Sequence, residues 1–197
     1  MSAEGEDSRP KAGSPATADT TAAATMTLSP LPPQVLEAVE AARSAGVPVF
    51  WVIRSHDPSG NDIERTRRHL FDPPGCGTGA TVTGTEGAEL AVPLAANPGE
   101  PIVLKRRFSA FFATTLDMLL RRGGCRHVVL CGVQTPNCIR AAAVDAISLD
   151  YERVDVLADA TASATEEIQK ANLRDLAAMG VGIVSTDDWR ADLGRGI

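Results

Sequence analysis

The sequence has little of what marks membrane, secreted or nucleic-acid-binding proteins. No apolar run in its 197 residues approaches the roughly 18 residues needed to cross a bilayer. The start of the chain lacks the basic opening and apolar centre of a secretory signal. A formal net charge of -6 leaves no broad basic surface for nucleic acid or an anionic membrane. These absences predict a cytoplasmic protein whose main partner is a small molecule.

Cysteine is also sparse. The four cysteines are scattered, without the close pairing of a zinc site or the density of a secreted disulfide scaffold. They are Cys76, Cys125, Cys131 and Cys138. This pattern is typical of proteins from a reducing compartment, and we expect no cofactor.

Large apolar side chains are scarce at the start of the chain. Residues 1–30 are mostly Ala, Ser, Thr, Pro and acidic residues, which offer too little apolar surface to offset the entropy of ordering. We therefore expect a disordered low-complexity leader over 1–30 and one domain over 31–197. Acidic residues such as Glu4 and Asp19 argue against an organelle transit peptide, which is normally poor in acids.

From Pro33 onward, helical and strand patterns alternate. Short apolar runs predict strands at 47–53, 101–105, 127–132, 153–159 and 181–185. Amphipathic or alanine-rich stretches predict helices after Pro33 and over 113–122, 138–150 and 164–180. Strands that are apolar throughout and alternate with helices favour a parallel sheet covered on both faces. The predicted fold is a three-layer α/β/α sandwich with an open, mainly parallel sheet.

Reactive side chains follow three of the predicted strands at their carboxyl ends, where open α/β sheets bind ligands. Arg54 to Asp57 follow the first strand, Lys105 ends the second, and the turn with Cys138 follows the third. A cysteine in the first turn of a helix meets backbone N–H groups and the helix macrodipole, which favour a thiolate and a developing oxyanion. This placement indicates a cysteine nucleophile that forms an acyl-enzyme, which water then hydrolyses. Without that context, Cys138 would more often be a small buried residue and Lys105 a solvated one.

Three blocks of the sequence carry a resemblance to a known family. The blocks are IVLKRRFSAFFATTLDMLL, VVLCGVQTPNCIRAAAVDAISLDY and VLADATASATEE. They resemble successive blocks of the isochorismatase-like cysteine hydrolases, which include nicotinamidases, N-carbamoylsarcosine amidases and isochorismatases. The resemblance runs from about Pro33 to Trp189. It implies a Rossmann-like topology, hydrolysis of a small amide at its C–N bond, less often of a vinyl ether, and a homo-oligomer.

The same resemblance assigns site residues at the matching positions. It implies that Lys105 and Cys138 are two members of a catalytic Asp, Lys and Cys set, with a thioester formed on Cys138. It also implies a non-proline cis peptide between Val133 and Gln134, which lets the N–H groups of Gln134 and Cys138 form an oxyanion hole.

The predicted substrate-binding residues are Arg54, Arg107, Phe111 and Thr135. Arg54 and Arg107 are interpreted as binders of a substrate carboxylate. Where the nicotinamidases have an Asp-x-His metal pattern, this sequence has Ser55 and Asp57 at the paired positions. His56 and Asp57 alone are too few ligands, so the sequence predicts no bound metal.

The aspartate of the family's catalytic set is not found. Family members open with an apolar strand that ends in Asp-x-Gln, and the matching stretch EDSRPKAGSPAT does not have the pattern of a strand. We expect the central first strand to be missing, or to be replaced by AAATMTL (22–28), which places no carboxylate at its carboxyl end. Two hypotheses follow: a cysteine amidase, or a catalytically inactive homologue or truncated variant that acts as a binding protein.

Overall fold

The structure is a computed structural model that describes residues 31–71 and 81–194. The predicted leader over 1–30, the proposed replacement strand over 22–28 and Cys76 lie outside the described residues. The helices in these ranges are α1 Gln34–Ser44, α2 Leu116–Arg122, α3 Arg140–Ser148, α4 Glu166–Ala178 and α5 Thr186–Leu193. The strands are β1 Trp51–Arg54, β2 Ile102–Lys105, β3 His127–Val133, β4 Arg153–Ala162 and β5 Gly182–Val184. None of these helices is long and apolar enough to cross a membrane.

The strands form two parallel ladders. β1 pairs with β2, from Trp51 opposite Ile102 to Arg54 opposite Lys105. β3 pairs with β4, and β4 pairs with β5. Within residues 31–71 and 81–194, no strand pairs with the second edge of β1 or of β3, so the sheet has two separately hydrogen-bonded parts.

Helices cover both faces of these strands, which confirms the three-layer α/β fold predicted from the sequence. One core lies between the strands and α2, α3 and α4; it includes Leu116, Leu120, Ala142, Ala143, Ala146, Val154, Val156 and Leu176. The other core lies between β4, α1 and α5; it includes Val35, Ala38, Ala42, Leu157, Ala160 and Trp189. Side chains from both ladders enter the first core, so apolar packing joins the two parts of the sheet.

Two elements differ from the sequence-based expectation. The strand expected over 47–53 is hydrogen-bonded as a strand only over Trp51–Arg54. The sequence analysis missed α5, in which Asp187, Asp188 and Arg190 obscure the apolar pattern. This helix forms because the Ser185 side chain accepts a hydrogen bond from the backbone N–H of Asp188, and because Trp189 is buried against α1 and β4.

A buried carboxylate lies near the amino ends of β3 and β4. Asp155, only 1% exposed, is 2.9 Å from Nε2 of His127 and 2.8 Å from Nη2 of Arg153. A Cβ atom on Gly182 would lie 2.0 Å from Oδ1 of Asp155, so only glycine leaves room for this carboxylate. These contacts lie at the opposite end of the strands from Lys105 and Cys138.

Glu100 connects α1, β1 and the loop before β2. Its carboxylate accepts hydrogen bonds from Arg43 at 2.8 and 2.9 Å, from the Trp51 ring N–H at 2.7 Å and from the Asn97 backbone N–H at 2.9 Å. The hydrogen bond from Arg43 is the largest of the effects that hold the pKa of Glu100 at about 2. The charged carboxylate of Glu100 therefore links α1 to β1 by hydrogen bonds.

We expect Glu100→Gln to lower the free energy of unfolding at neutral pH by about 1–2 kcal/mol, because it removes charge-assisted hydrogen bonds at a partly solvated site. The folded-state pKa lies below the unfolded value, so this contribution is present above the unfolded pKa and is lost as pH falls toward about 2. Urea unfolding between pH 7 and pH 3 measures both effects. Glu89→Gln, at an exposed position, is the control. Equal acid sensitivity of Glu100→Gln and the wild-type protein would contradict this assignment.

Candidate active site

The ammonium of Lys105 is buried at the carboxyl end of β2. The side chain is 5% exposed, and its Nζ donates a hydrogen bond to the backbone carbonyl of Phe108. Burial lowers the pKa of Lys105, and the charge and hydrogen bonding of the Cys138 side chain partly oppose that shift. The Cys138 side chain is therefore close enough to act on the pKa of Lys105, although Lys105 ends one ladder of the sheet and Cys138 follows the other.

Cys138 lies in a wide helical turn that connects β3 with α3. The turn spans Thr135–Ile139, and the backbone N–H of Ile139 donates to the carbonyl of Gln134 at 3.3 Å, five residues earlier. The predicted helix over 138–150 thus begins with this wider turn, and regular α-helical geometry starts at Arg140. The peptide bond between Val133 and Gln134 is cis.

Two hydrogen bonds hold the turn in place. Thr135 is fully buried, and its Oγ1 donates to the carbonyl of Ala162 on β4 at 3.2 Å. The amide nitrogen of Asn137 donates to Oε1 of Gln134 at 3.0 Å. Because one anchor reaches the neighbouring strand and the other lies within the turn, the backbone around Cys138 is fixed from both sides.

A cluster of two arginines, one glutamate and one aromatic ring lies next to this pair. Nη2 of Arg54, at the end of β1, donates to both carboxylate oxygens of Glu64 at 2.6 and 2.7 Å. The guanidinium groups of Arg54 and Arg67 lie 5.2 and 4.9 Å from the centroid of the Phe108 ring. We call these four residues the Phe108 cluster. The Phe108 cluster is connected to Lys105 through Phe108. The backbone carbonyl of Phe108 accepts a hydrogen bond from the Lys105 ammonium, and the Phe108 ring contacts both arginines.

The charges in the Phe108 cluster act on each other and on the Lys105–Cys138 pair. Burial lowers the pKa of Arg67, and the nearby charge of Arg54 lowers it further, whereas Glu64 and Cys138 oppose the shift. Burial acts to raise the pKa of Glu64, but hydrogen bonds, above all from its own backbone and from Arg54, leave it below its usual value. Glu64 is therefore a carboxylate at neutral pH and balances part of the positive charge around Cys138.

The resemblance to nicotinamidases suggests a metal site near His56, but the residues around His56 do not fit one. His56 is fully buried; its Nε2 accepts from Nε of Arg54 at 2.9 Å, and its Nδ1 is 3.2 Å from Oδ1 of Asp62. Burial and the nearby charge of Arg54 lower the pKa of this histidine. With a guanidinium on one ring nitrogen and a carboxylate on the other, no lone pair points at an open position. Among the described residues, no three His, Cys, Asp or Glu side chains form a group that could hold a metal ion.

The family follows from a sequence comparison. A profile described as Isochorismatase domain matches residues 17–188, which is most of the chain. The chain belongs to the isochorismatase family.

Individual relatives agree with this membership. The chain is 44% identical over 162 residues, 82% of each sequence, to an Arabidopsis thaliana protein named "Probable inactive nicotinamidase". It is 30% identical to the ureidoacrylate amidohydrolase of Methylobacterium radiotolerans, over 75% of this chain and 61% of that protein. The crystal structure of an isochorismatase family protein from Desulfovibrio vulgaris superposes with a TM-score of 0.76 at 41% identity, covering 82% of this chain and 83% of that one.

In this isochorismatase-family chain, the four predicted substrate-binding residues all make contacts within the protein. Arg54 pairs with Glu64, and Thr135 anchors the turn that holds Cys138. Arg107 donates to the carbonyls of Asp62 at 2.6 Å and Arg106 at 2.9 Å. Phe111 is in the core, with its ring centroid 5.7 Å from that of Tyr151. Direct contact of these residues with a substrate stays a prediction.

The sequence analysis missed Glu64 and Arg67. The sequence signal for this pair is its spacing of three residues, which places two side chains on one face of a helix. Glu64 directly precedes the 3₁₀ helix Arg65–Leu70, and Arg67 lies within it. Nothing in the sequence indicates that Arg54, ten residues earlier, completes the cluster.

We expect Glu64→Gln to destabilise the fold by about 1–3 kcal/mol, because it removes a largely buried carboxylate and leaves two arginines facing each other. Glu152→Gln is the matched control. It breaks an ion pair with Arg126 in which both side chains are more than half exposed, and surface pairs contribute about 1 kcal/mol or less. Thermal and urea unfolding of both variants test the difference. A loss in Glu64→Gln no larger than in Glu152→Gln would show that Glu64 does not balance the cluster.

Proposed function

We propose that this protein hydrolyses the C–N bond of a small amide through a thioester on Cys138. The observation that supports this most strongly is the burial of Lys105 at the carboxyl end of β2, where the Cys138 side chain acts on the pKa of its ammonium. An adjacent cation stabilises a thiolate, which is the nucleophilic form of cysteine.

The proposed reaction has two steps. The Cys138 thiolate bonds to the carbonyl carbon, and the N–H groups of Gln134 and Cys138 donate to the oxygen as it becomes negative. The C–N bond then breaks, and the Lys105 ammonium gives a proton to the leaving nitrogen. In the second step water attacks the thioester and releases the acid product and the thiolate. One proton of that water returns to Lys105, and the other leaves with the acid.

The names of relatives support a C–N bond as the target. One relative is a ureidoacrylate amidohydrolase, and an N-carbamoylsarcosine amidase from Thermoplasma acidophilum has the same fold with a TM-score of 0.64 at 28% identity. A binding protein without catalysis is the second candidate function. It is favoured by the Arabidopsis relative, whose name describes an inactive nicotinamidase. The homo-oligomer, the cytoplasmic location and the domain limits 1–30 and 31–197 stay predictions.

The first experiment looks for the acyl-enzyme. We expect intact-mass and peptide mass spectrometry to show an acyl adduct on Cys138 after incubation with nicotinamide and a panel of small amides. Cys138→Ala should lose the adduct, whereas Cys125→Ala, which removes another partly buried free thiol, should keep it. Adduct without product release would identify a very slow hydrolase. A Cys138 that forms no adduct with any amide and resists a thiol reagent that labels an ordinary cysteine would contradict the hydrolase proposal.

The second experiment follows the pH dependence of kcat/KM. The proposed mechanism needs a protonated Lys105, and burial lowers its pKa from the usual lysine value of 10.5. Activity should therefore fall with rising pH, with an alkaline limb below 10.5. Lys105→Met should reduce kcat/KM by roughly 10²-fold or more, since it removes both the charge and the proton. An alkaline limb that is the same in Lys105→Met and the wild-type protein would assign that limb to another group.

A further inference from the structure

Two buried side-chain nitrogens near Cys138 have no hydrogen-bond partner among the described residues. They are Nη1 of Arg67 and Nε2 of Gln134. Gln134 precedes the Cys138 turn, and the charge of Arg67 interacts with Cys138. Buried donors are almost always hydrogen-bonded in native proteins, so these two nitrogens are available to an acceptor from outside the chain, either water or a ligand.

Nη1 of Arg67 has no hydrogen bond because the oxygens of the nearest carboxylate are already used. Both oxygens of Glu64 accept from Nη2 of Arg54 at 2.6 and 2.7 Å. Nη1 of Arg67 lies 3.5 Å from Oε2 of Glu64, an ion-pair distance without hydrogen-bond geometry. Arg54 and Arg67 thus share a single glutamate, and the ammonium of Lys105 is bound by a neutral carbonyl, so positive groups outnumber carboxylates in this region.

The Arg67 guanidinium is also held in position. It lies over the Phe108 ring, while the backbone carbonyl of the same residue accepts the Lys105 ammonium. Phe108 therefore contacts both the Arg67 guanidinium and the Lys105 ammonium. A planar guanidinium fixed in this way matches the two oxygens of a carboxylate better than it matches a neutral amide.

We propose that Arg67 binds a carboxylate of the substrate beside the Cys138 sulfur, and that the protein therefore selects amides that carry a carboxylate. That the bound molecule is a substrate rests on the proposed function, whereas the anion site itself does not depend on turnover. Arg67 is on this basis a specificity-determining residue, distinct from Arg54 and Arg107, which are engaged within the protein.

The test compares two alkylating reagents of similar size and different charge. Iodoacetate and iodoacetamide both react by displacement: the Cys138 sulfur bonds to the methylene carbon and iodide leaves. Peptide mass spectrometry gives the rate at Cys138 alone, and the ratio of the two rates cancels the thiolate fraction. We expect the ratio of iodoacetate to iodoacetamide rates to exceed that of N-acetylcysteine. In Arg67→Met it should fall about tenfold or more, the effect of losing one charge-assisted hydrogen bond.

Two further variants separate this site from a general charge effect. Arg65→Met removes the same charge from an exposed position of the same 3₁₀ helix and should leave the ratio near the wild-type value. Arg67→Lys keeps the charge without the planar fork and should give an intermediate ratio. If Arg67→Met does not fold, Arg67→Lys and the wild-type ratio decide the question.

The outcomes distinguish this inference from the proposed hydrolysis. A wild-type ratio no higher than that of N-acetylcysteine, or an equal fall in Arg65→Met and Arg67→Met, would overturn the anion site even if amides are hydrolysed. A high ratio that depends on Arg67, together with no acyl adduct from any amide, would support the anion site and contradict the hydrolase. Where amides are turned over, Arg67→Met should raise KM for N-carbamoylglycine and leave KM for nicotinamide unchanged.

Discussion

The burial of one ammonium group determines most of the candidate site. Lysine is almost never fully buried unless its charge is paired, and Lys105 meets this requirement through the Phe108 carbonyl and Cys138. The carbonyl contact fixes the backbone of Phe108. The Phe108 ring in turn makes cation–π contacts with Arg54 and Arg67. The position of the cationic groups around the sulfur therefore follows from the way the protein accommodates a single buried charge.

This arrangement places more cationic than anionic side chains around Cys138. Glu64 compensates Arg54 more completely than Arg67, because its two oxygens point at one nitrogen of Arg54. The uncompensated charge favours anions in the space next to it. The proposed thioester chemistry and the proposed anion site thus depend on the same few side chains.

The sequence predicted the fold and the turn that holds Cys138 better than it predicted the cluster next to that turn. Apolar strands alternating with helices are a local pattern, and the turn with Cys138 has a distinctive order of residues, so both could be predicted. The role of Arg67 could not, because it depends on where a short 3₁₀ helix places one side chain relative to a distant aromatic ring. α5 was missed for a different reason, since only Trp189 and Leu193 mark its apolar face.

The division of the sheet into two ladders has a consequence for the reactive pair. Lys105 ends one ladder and Cys138 follows the other, and no backbone hydrogen bond between strands joins the two ladders within the described residues. The connection there is made by side chains such as Val52, Val103 and Val128, which meet in one core. Among the described residues, side-chain packing rather than strand register therefore relates Lys105 to Cys138. A change of side-chain volume in that layer is expected to shift Lys105 relative to Cys138 without touching either residue.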